Sequence, residues 1–164
     1  MPSILFVCTG NIFRSMTAEY ALKAALRPQQ VYRVSSAGTE ANLQAMSPYV
    51  RERLALHGLN PAAHRQRRLT AEILAEADVV VAMGLDHRRY LQEQFGQEAW
   101  LFNQICYGTE TPVLDVWEAV TNEPHNPYAE QAYIYAVVDY ICEAVPHFIE
   151  NVGRFFPQPQ LLKP

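Results

Sequence analysis

Ile4-Leu5-Phe6-Val7-Cys8-Thr9-Gly10-Asn11-Ile12-Phe13-Arg14-Ser15 decides how the chain is read. The apolar run Ile4–Val7 has the length and composition of a short buried strand. A cysteine follows it, then a Gly-containing loop, then Arg14 and Ser15 at the head of a helix-forming segment. A loop between a strand end and a helix start collects unpaired backbone N–H groups and the positive end of the helix dipole. Such a loop cradles a phosphate-like anion. Arg14 adds a guanidinium fork for two of the anion's oxygens. In that positive field Cys8 favours its thiolate form, which is the nucleophile. Cysteine after an apolar strand is more often a small buried hydrophobe, and an arginine six places on is more often at the surface. The Cys-x5-Arg spacing outweighs that reading because strand, Gly10, Asn11, Arg14 and Ser15 agree within one window.

The rest of the composition narrows the class. A chain of 164 residues, 49% hydrophobic, suits one compact domain with a sizeable core. A net charge of −4 offers no basic field for nucleic acid. Met1-Pro2-Ser3 is no basic leader, and no apolar stretch reaches the length of a membrane span. Cys8, Cys106 and Cys142 are odd in number and far apart, which suits a reducing cytoplasm rather than a disulfide framework. No cysteine or histidine cluster suggests a metal, and no cofactor is expected.

Further along the chain, strand and helix signals alternate. Helix is expected from Ser15 until Pro28 stops it, and strand over Val31–Ser35 with Gly38 at the turn. Pro48 opens a second helix that Gly58 closes, Pro61–Arg68 reads as a basic loop, and Thr70 caps a short helix. Val79–Met83 reads as a buried parallel strand, Asp86 as the cap of a helix through Leu91, and Ala99–Phe102 as a fourth strand. Residues 103 to 127 read as a long irregular loop. Tyr128–Ile149 is a long amphipathic helix with Pro146 as a kink or break; Tyr133, Tyr135 and Tyr140 read as its packing residues. The predicted fold is a single-domain α/β protein, residues 1–156: a doubly wound four-stranded parallel sheet with helices on both faces. A flexible Pro-rich tail over 157–164 follows. Ligands of such sheets bind beyond the carboxyl ends of the strands, where Cys8 lies.

Val7-Cys8-Thr9-Gly10-Asn11-Ile12-Phe13-Arg14-Ser15 resembles the phosphate loop of the low-molecular-weight protein tyrosine phosphatases, V-C-x-G-N-x-C-R-S-P. Ala18-Glu19, Ser36-Ala37-Gly38-Thr39, His64 with Leu69-Thr70, and Asp78 through Met83 match further motifs of that family in order, so the resemblance covers about residues 3 to 145. It implies a phosphotyrosine protein phosphatase I-like fold and hydrolysis of phosphotyrosine through a phosphocysteine on Cys8. The N–H groups of Thr9, Gly10, Asn11, Ile12, Phe13 and Arg14 would hold the phosphoryl oxygens, Ser15 would donate to the thiolate, and Asn11, Ser36 and His64 would hold the loop's shape. Ile12 leans towards an aryl ester, since the family's phosphoarginine branch has threonine there.

Several positions depart from the family pattern. Phe13 replaces its second cysteine, so no disulfide with Cys8 forms there, and Met16 replaces its proline. Gly84 replaces its aspartate after the strand methionine, with Asp86 two residues on. Only Leu43 among residues 40–44 offers the wall after S-A-G-T, and Tyr128 is expected on the other side. The general acid is open. The family's D-P-Y corresponds literally to Asn126-Pro127-Tyr128, and asparagine donates no proton usefully. Glu123-Pro124 is the first alternative and Asp115 the second. The Arg65–Arg68 run is either a solvated face or an attractor of acidic phosphopeptides. The expected partner is a phosphotyrosine protein or small aryl phosphate, acted on by a monomer or weak dimer. Two other readings stand beside it: arsenate reduction using Cys106 or Cys142, and a phosphate or phosphotyrosine binder with little turnover.

Overall fold

The computed structural model describes residues 1–120 and 126–158. Strand β1, Ser3–Cys8, is buried along its whole length. It pairs in parallel with β2, Arg33–Gly38, on one side and β3, Val79–Ala82, on the other. A short strand β4, Trp100–Leu101, completes the parallel order β2-β1-β3-β4. The four-stranded α/β sheet is as expected. The two inner strands, β1 and β3, are the most apolar because both of their faces are covered.

Side chains alternate across β1. Ile4, Phe6 and Cys8 join the larger core, which includes Met16 and Leu22 of α1, Arg14–Ala25, and Ile141 and Phe148 of the long C-terminal helix. Leu5 and Val7 face the smaller core beneath Leu74 of α3, Ala71–Ala75, and Leu91 of α4, Leu85–Phe95. Phe6 is fully buried between Phe102, at 6.3 Å, and Phe148, at 5.3 Å between ring centroids. Helix α2, Pro48–Leu56, is capped by the Ser47 hydroxyl.

The structure corrects several boundaries. β2 lies two residues later than expected, and Gly38 ends it rather than following it, because the ladder runs on to the pair Cys8–Gly38. Gly84, not Asp86, is the cap of α4. Residues 103 to 127 are not one irregular loop: α5, Phe102–Tyr107, follows β4 directly and stops at Gly108, and α6, Val116–Ala119, is capped by the Asp115 side chain. Both helices are too short to show a period. Cys106 therefore sits in the core rather than in a mobile loop. Helix α7, Pro127–Val152, runs unbroken through Pro146. The proline lies on the exposed face, while Ala144, Val145 and Phe148 stay packed. The three tyrosines do more than pack. Tyr133 donates to Leu114 O, Tyr135 to Glu52 and Tyr140 to Asn103, so each ties α7 to a different element.

No described helix is long and apolar enough to cross a membrane. Truncating Phe6 to alanine removes the ring that joins β1 to α5 and α7. Urea denaturation is expected to show a loss of about 3–5 kcal/mol.

Candidate active site

β1 ends between β2 and β3, the point where the strand order reverses. The segment beyond it, 9–13, forms a ring held from outside by its carbonyl oxygens. Cys8 O accepts from Thr39 N, Thr9 O from Glu40 N, and Phe13 O from Thr17 N, at 2.8 to 2.9 Å. Gly10 O accepts from Gln66 Nε2 at 2.6 Å, and Asn11 O from His64 Nε2 at 2.7 Å. In a trans peptide the N–H points opposite to the C=O. Carbonyls drawn outward therefore turn the amide hydrogens inward, and the first turn of α1 adds its own.

Asn11 is the hub of the ring. Its φ is +57°, the only positive value outside glycine among the described residues. Its side-chain oxygen accepts from Arg67 N at 2.9 Å, which fixes the amide orientation. Its Nδ2 then donates to Ser36 Oγ at 2.8 Å and to Ser15 Oγ at 3.1 Å. Ser36 passes its own hydrogen to Glu19. Ser15 has its hydrogen left for Cys8 Sγ, 2.9 Å away. The relay ends with sulfur as an acceptor, the arrangement that suits a thiolate. Gly38 lies directly beneath: a Cβ there would meet Thr9 O at 2.4 Å and Asn11 N at 3.0 Å.

Cys8 lies at the floor of an open cleft of about 400 Å³, whose walls include Ile12, Arg14, Glu40, Asp115, Trp117 and Ile134. Arg14 is 1% exposed. Its guanidinium donates to Val113 O and to Asp115 Oδ2, both at 2.8 Å, with Glu118 Oε1 at 3.8 Å. Val113 N in turn donates to Met83 O at the end of β3, and Tyr133 holds Leu114 O at 2.6 Å, so residues 113–115 are pinned from several directions.

The structure brings Cys8, Arg14, Ser15, Asn11, Ser36, His64 and Asp115 into one constellation. Glu123 lies outside the described residues. Asn126 caps α7, accepting from Tyr128 N and Ala129 N, and is not among the cleft's walls. Neither Leu43 nor Tyr128 is among the cleft's walls; both are strongly exposed, and Trp117 supplies the aromatic face. Cys106 and Cys142 are also absent from the walls, and burial pushes their thiols up to about 12 and about 11. Arg65, Arg67 and Arg68 do not line the mouth; Arg67 is structural, donating from Nε to Ser36 O at 3.1 Å.

Sequence reasoning missed His87. It is buried in the first turn of α4, receives Gly84 N–H at Nδ1, 3.0 Å, and reaches Thr9 Oγ1 from Nε2, 2.8 Å. It supplies the support that the change to Gly84 had put in question. Burial first, then the Arg14 charge, pushes its pKa down from 6.5 to about 4, against the pull of Asp86 and Asp115. The only advance signal was its place three residues beyond Gly84 at a strand-to-helix junction.

Fold and cleft together define a thiol-centred oxyanion site on a parallel α/β sheet. The family model described as low molecular weight phosphotyrosine protein phosphatase matches residues 3–155, and the chain belongs to that family. Among curated relatives, the probable low molecular weight protein-tyrosine-phosphatase EpsP of Ralstonia solanacearum is 36% identical over 93 residues, which span 56% of this chain and 62% of that protein. The protein-arginine-phosphatase of Bacillus subtilis (strain 168) is 32% identical, over 68% of this chain and 77% of its own. The low molecular weight protein-tyrosine-phosphatase PtpB of Staphylococcus aureus is 30% identical, over 85% and 99%. Of solved structures, a YwlE mutant from Bacillus subtilis superposes with a TM-score of 0.78 at 25% identity, covering 93% of this chain and 99% of that one. A low molecular weight protein tyrosine phosphatase from T. tengcongensis superposes with a TM-score of 0.75 at 26% identity, covering 92% and 99%.

Two outcomes follow from this geometry. Alanine at Gly38 drives a Cβ into the backbone of the ring, so inorganic phosphate binding, read by calorimetry, should weaken at least about tenfold. His87 is held neutral in the fold but takes a proton near 6.5 when unfolded. The unfolded state therefore binds more protons between those values, and stability falls as pH drops from about 6.5 to about 4. Denaturation at stepped pH should show a wild-type loss of about 3 kcal/mol across that window, and His87→Gln should flatten it.

Proposed function

We propose that this chain hydrolyses phosphotyrosine in proteins through a phosphocysteine intermediate. The observation that carries this reading is the sulfur of Cys8, accepting a hydrogen from Ser15 at the floor of an inward-facing amide ring beside Arg14. The thiolate attacks phosphorus in line. An S–P bond forms while the P–O bond to the phenol breaks, and the departing oxygen takes a proton from Asp115. Water then attacks phosphorus, Asp115 takes its proton, the S–P bond breaks, and phosphate leaves with the thiolate restored. The ring N–H groups and Arg14 hold the equatorial oxygens throughout, so catalysis is positioning and charge stabilisation.

Asp115 is preferred to Glu123 as the acid because its carboxyl lines the cleft and is aimed by Arg14. A phosphoryl dianion entering beside it competes for that guanidinium. The apolar side chain of Ile12 and the indole of Trp117 flank the cleft and suit an aryl ring. Phosphoarginine is the second reading, because the Bacillus subtilis relative is named a protein-arginine-phosphatase. It is the less favoured one because Ile12 and Trp117 match an aryl ring, although Glu40 and Glu130 on the same cleft are groups a guanidinium would pair with.

The test is p-nitrophenyl phosphate hydrolysis, with phosphotyrosine and phosphoarginine peptides in parallel. Cys8→Ser is expected to abolish turnover. Asp115→Asn should lower kcat by about 10²–10⁴, and Glu123→Gln should stay within about twofold. Phosphate binding without Cys8-dependent turnover would make the chain a binder. An equal loss in Glu123→Gln would move the acid into the following segment.

A further inference from the structure

His87 and Thr9 form a second chain of hydrogen bonds into the cleft, separate from the one through Asn11. Its direction follows from the chemistry of its ends. Gly84 N–H can only donate, so His87 Nδ1, 3.0 Å away, is the acceptor. The hydrogen of the neutral ring is therefore on Nε2. Nε2 lies 2.8 Å from Thr9 Oγ1 and 3.4 Å from Asp86 Oδ2, so the ring's shorter bond goes to the threonine hydroxyl. A second proton on the ring would fall on Nδ1, facing the Gly84 donor, and the 1% exposure of the residue leaves no water to accept it. The low affinity of this imidazole for that proton agrees with the geometry. Thr9, having accepted from the ring, keeps its own hydrogen. Thr9 lines the same cleft as Cys8, Arg14 and Asp115.

We propose that His87 is a positioning residue that makes the Thr9 hydroxyl a one-way donor, delivering its hydrogen to an oxygen of the phosphoryl group held over Cys8. The inference rests on the oxyanion-binding reading of the cleft, though not on which ester is cleaved. The ring of amides and Arg14 would thereby gain a side-chain donor whose orientation is set before the anion arrives. A hydroxyl free to rotate would pay for that orientation on binding. His87 would also tie the head of α4 to the wall of the site, so the strand-to-helix turn after β3 becomes part of the anion's surroundings.

The experiment measures orthovanadate inhibition and steady-state p-nitrophenyl phosphate kinetics in four single variants and one double, with thermal midpoints recorded for each. Thr9→Val replaces the hydroxyl by a methyl of the same shape, and Thr9→Ser keeps it. His87→Leu removes the donor. His87→Gln offers an amide oxygen to Gly84 and an amide hydrogen to Thr9. Thr9→Val and His87→Leu should each weaken vanadate inhibition and lower kcat/KM about tenfold, as expected for one hydrogen bond to a charged oxygen. The double variant should lose no more than either alone. Thr9→Ser and His87→Gln should stay within about threefold of the wild type.

A purely architectural His87 would give a different pattern. Thr9→Val would then match the wild type, or the two losses would multiply, and either result overturns the proposal. Should His87→Leu fail to fold, the contrast between Thr9→Val and Thr9→Ser decides alone. A wild type that binds vanadate through Thr9 yet turns nothing over would sink the hydrolase reading and leave this one standing. A wild type that binds no vanadate would end both.

Discussion

The cradle hangs on the conformation of Asn11. At φ +57° it reverses the loop so that its neighbours' amides converge on one point. For a residue other than glycine this region costs about 1 kcal/mol or more, and asparagine tolerates it best. Here the cost is offset by bonds from every polar atom of the side chain and from the carbonyl. Those bonds do more than hold a shape. Because Arg67 N can only donate, the amide cannot flip, and the hydrogen order is set from Asn11 through Ser15 to the sulfur. One backbone reversal thus decides both where an anion sits and which way the nucleophile's hydrogen bond points.

That reversal is held by parts of the chain far from it in sequence. Gly38 ends the strand beside β1 and lets the loop approach its backbone. The 60–68 segment contributes His64, Gln66 and Arg67, all clamping the outside of the ring. Glu19, one helical turn after Ser15, closes the relay through Ser36. His87 reaches in from the end of β3. Each comes from the carboxyl end of a strand or from the connection after it, which is where a parallel sheet gathers its loops. Placing the motif at the end of the central strand is what allows so many segments to reach it.

Legibility in the sequence tracked distance along the chain. Cys8, Arg14 and Ser15 were readable because strand, loop and helix start are contiguous and each has its own local signal. The parallel sheet was readable because β1 and β3 are short unbroken apolar runs. The acid was not. Asn126-Pro127-Tyr128 attracts a motif reading, yet Asn followed by Pro is equally the signature of a helix start, and Asn126 caps α7. Asp115 gave the weaker sequence signal; its place beside Arg14 depends on Val113 docking against Met83, a contact no spacing predicts. His87 and Trp117 escaped for the same reason. Arg67 escaped because a basic run reads as surface, whereas its backbone and side chain both serve the ring.

Selectivity has to come from the walls, since a ring of amides with a guanidinium grips any tetrahedral oxyanion. The chain carries a net charge of −4, and Glu40, Asp115 and Glu130 are among the cleft's walls. A phosphorylated segment therefore approaches through a field that repels it at long range and meets attraction only from Arg14 and the inward amides. Arg67 is committed to the ring, and Arg65 and Arg68 are not among the cleft's walls, so among the described residues no arginine but Arg14 lines the cleft. The energetic advantage shifts to what the walls can hold by contact. Ile12 and Trp117 present hydrocarbon and an aromatic face next to the anion site, and that face suits a flat aryl ring held by contact.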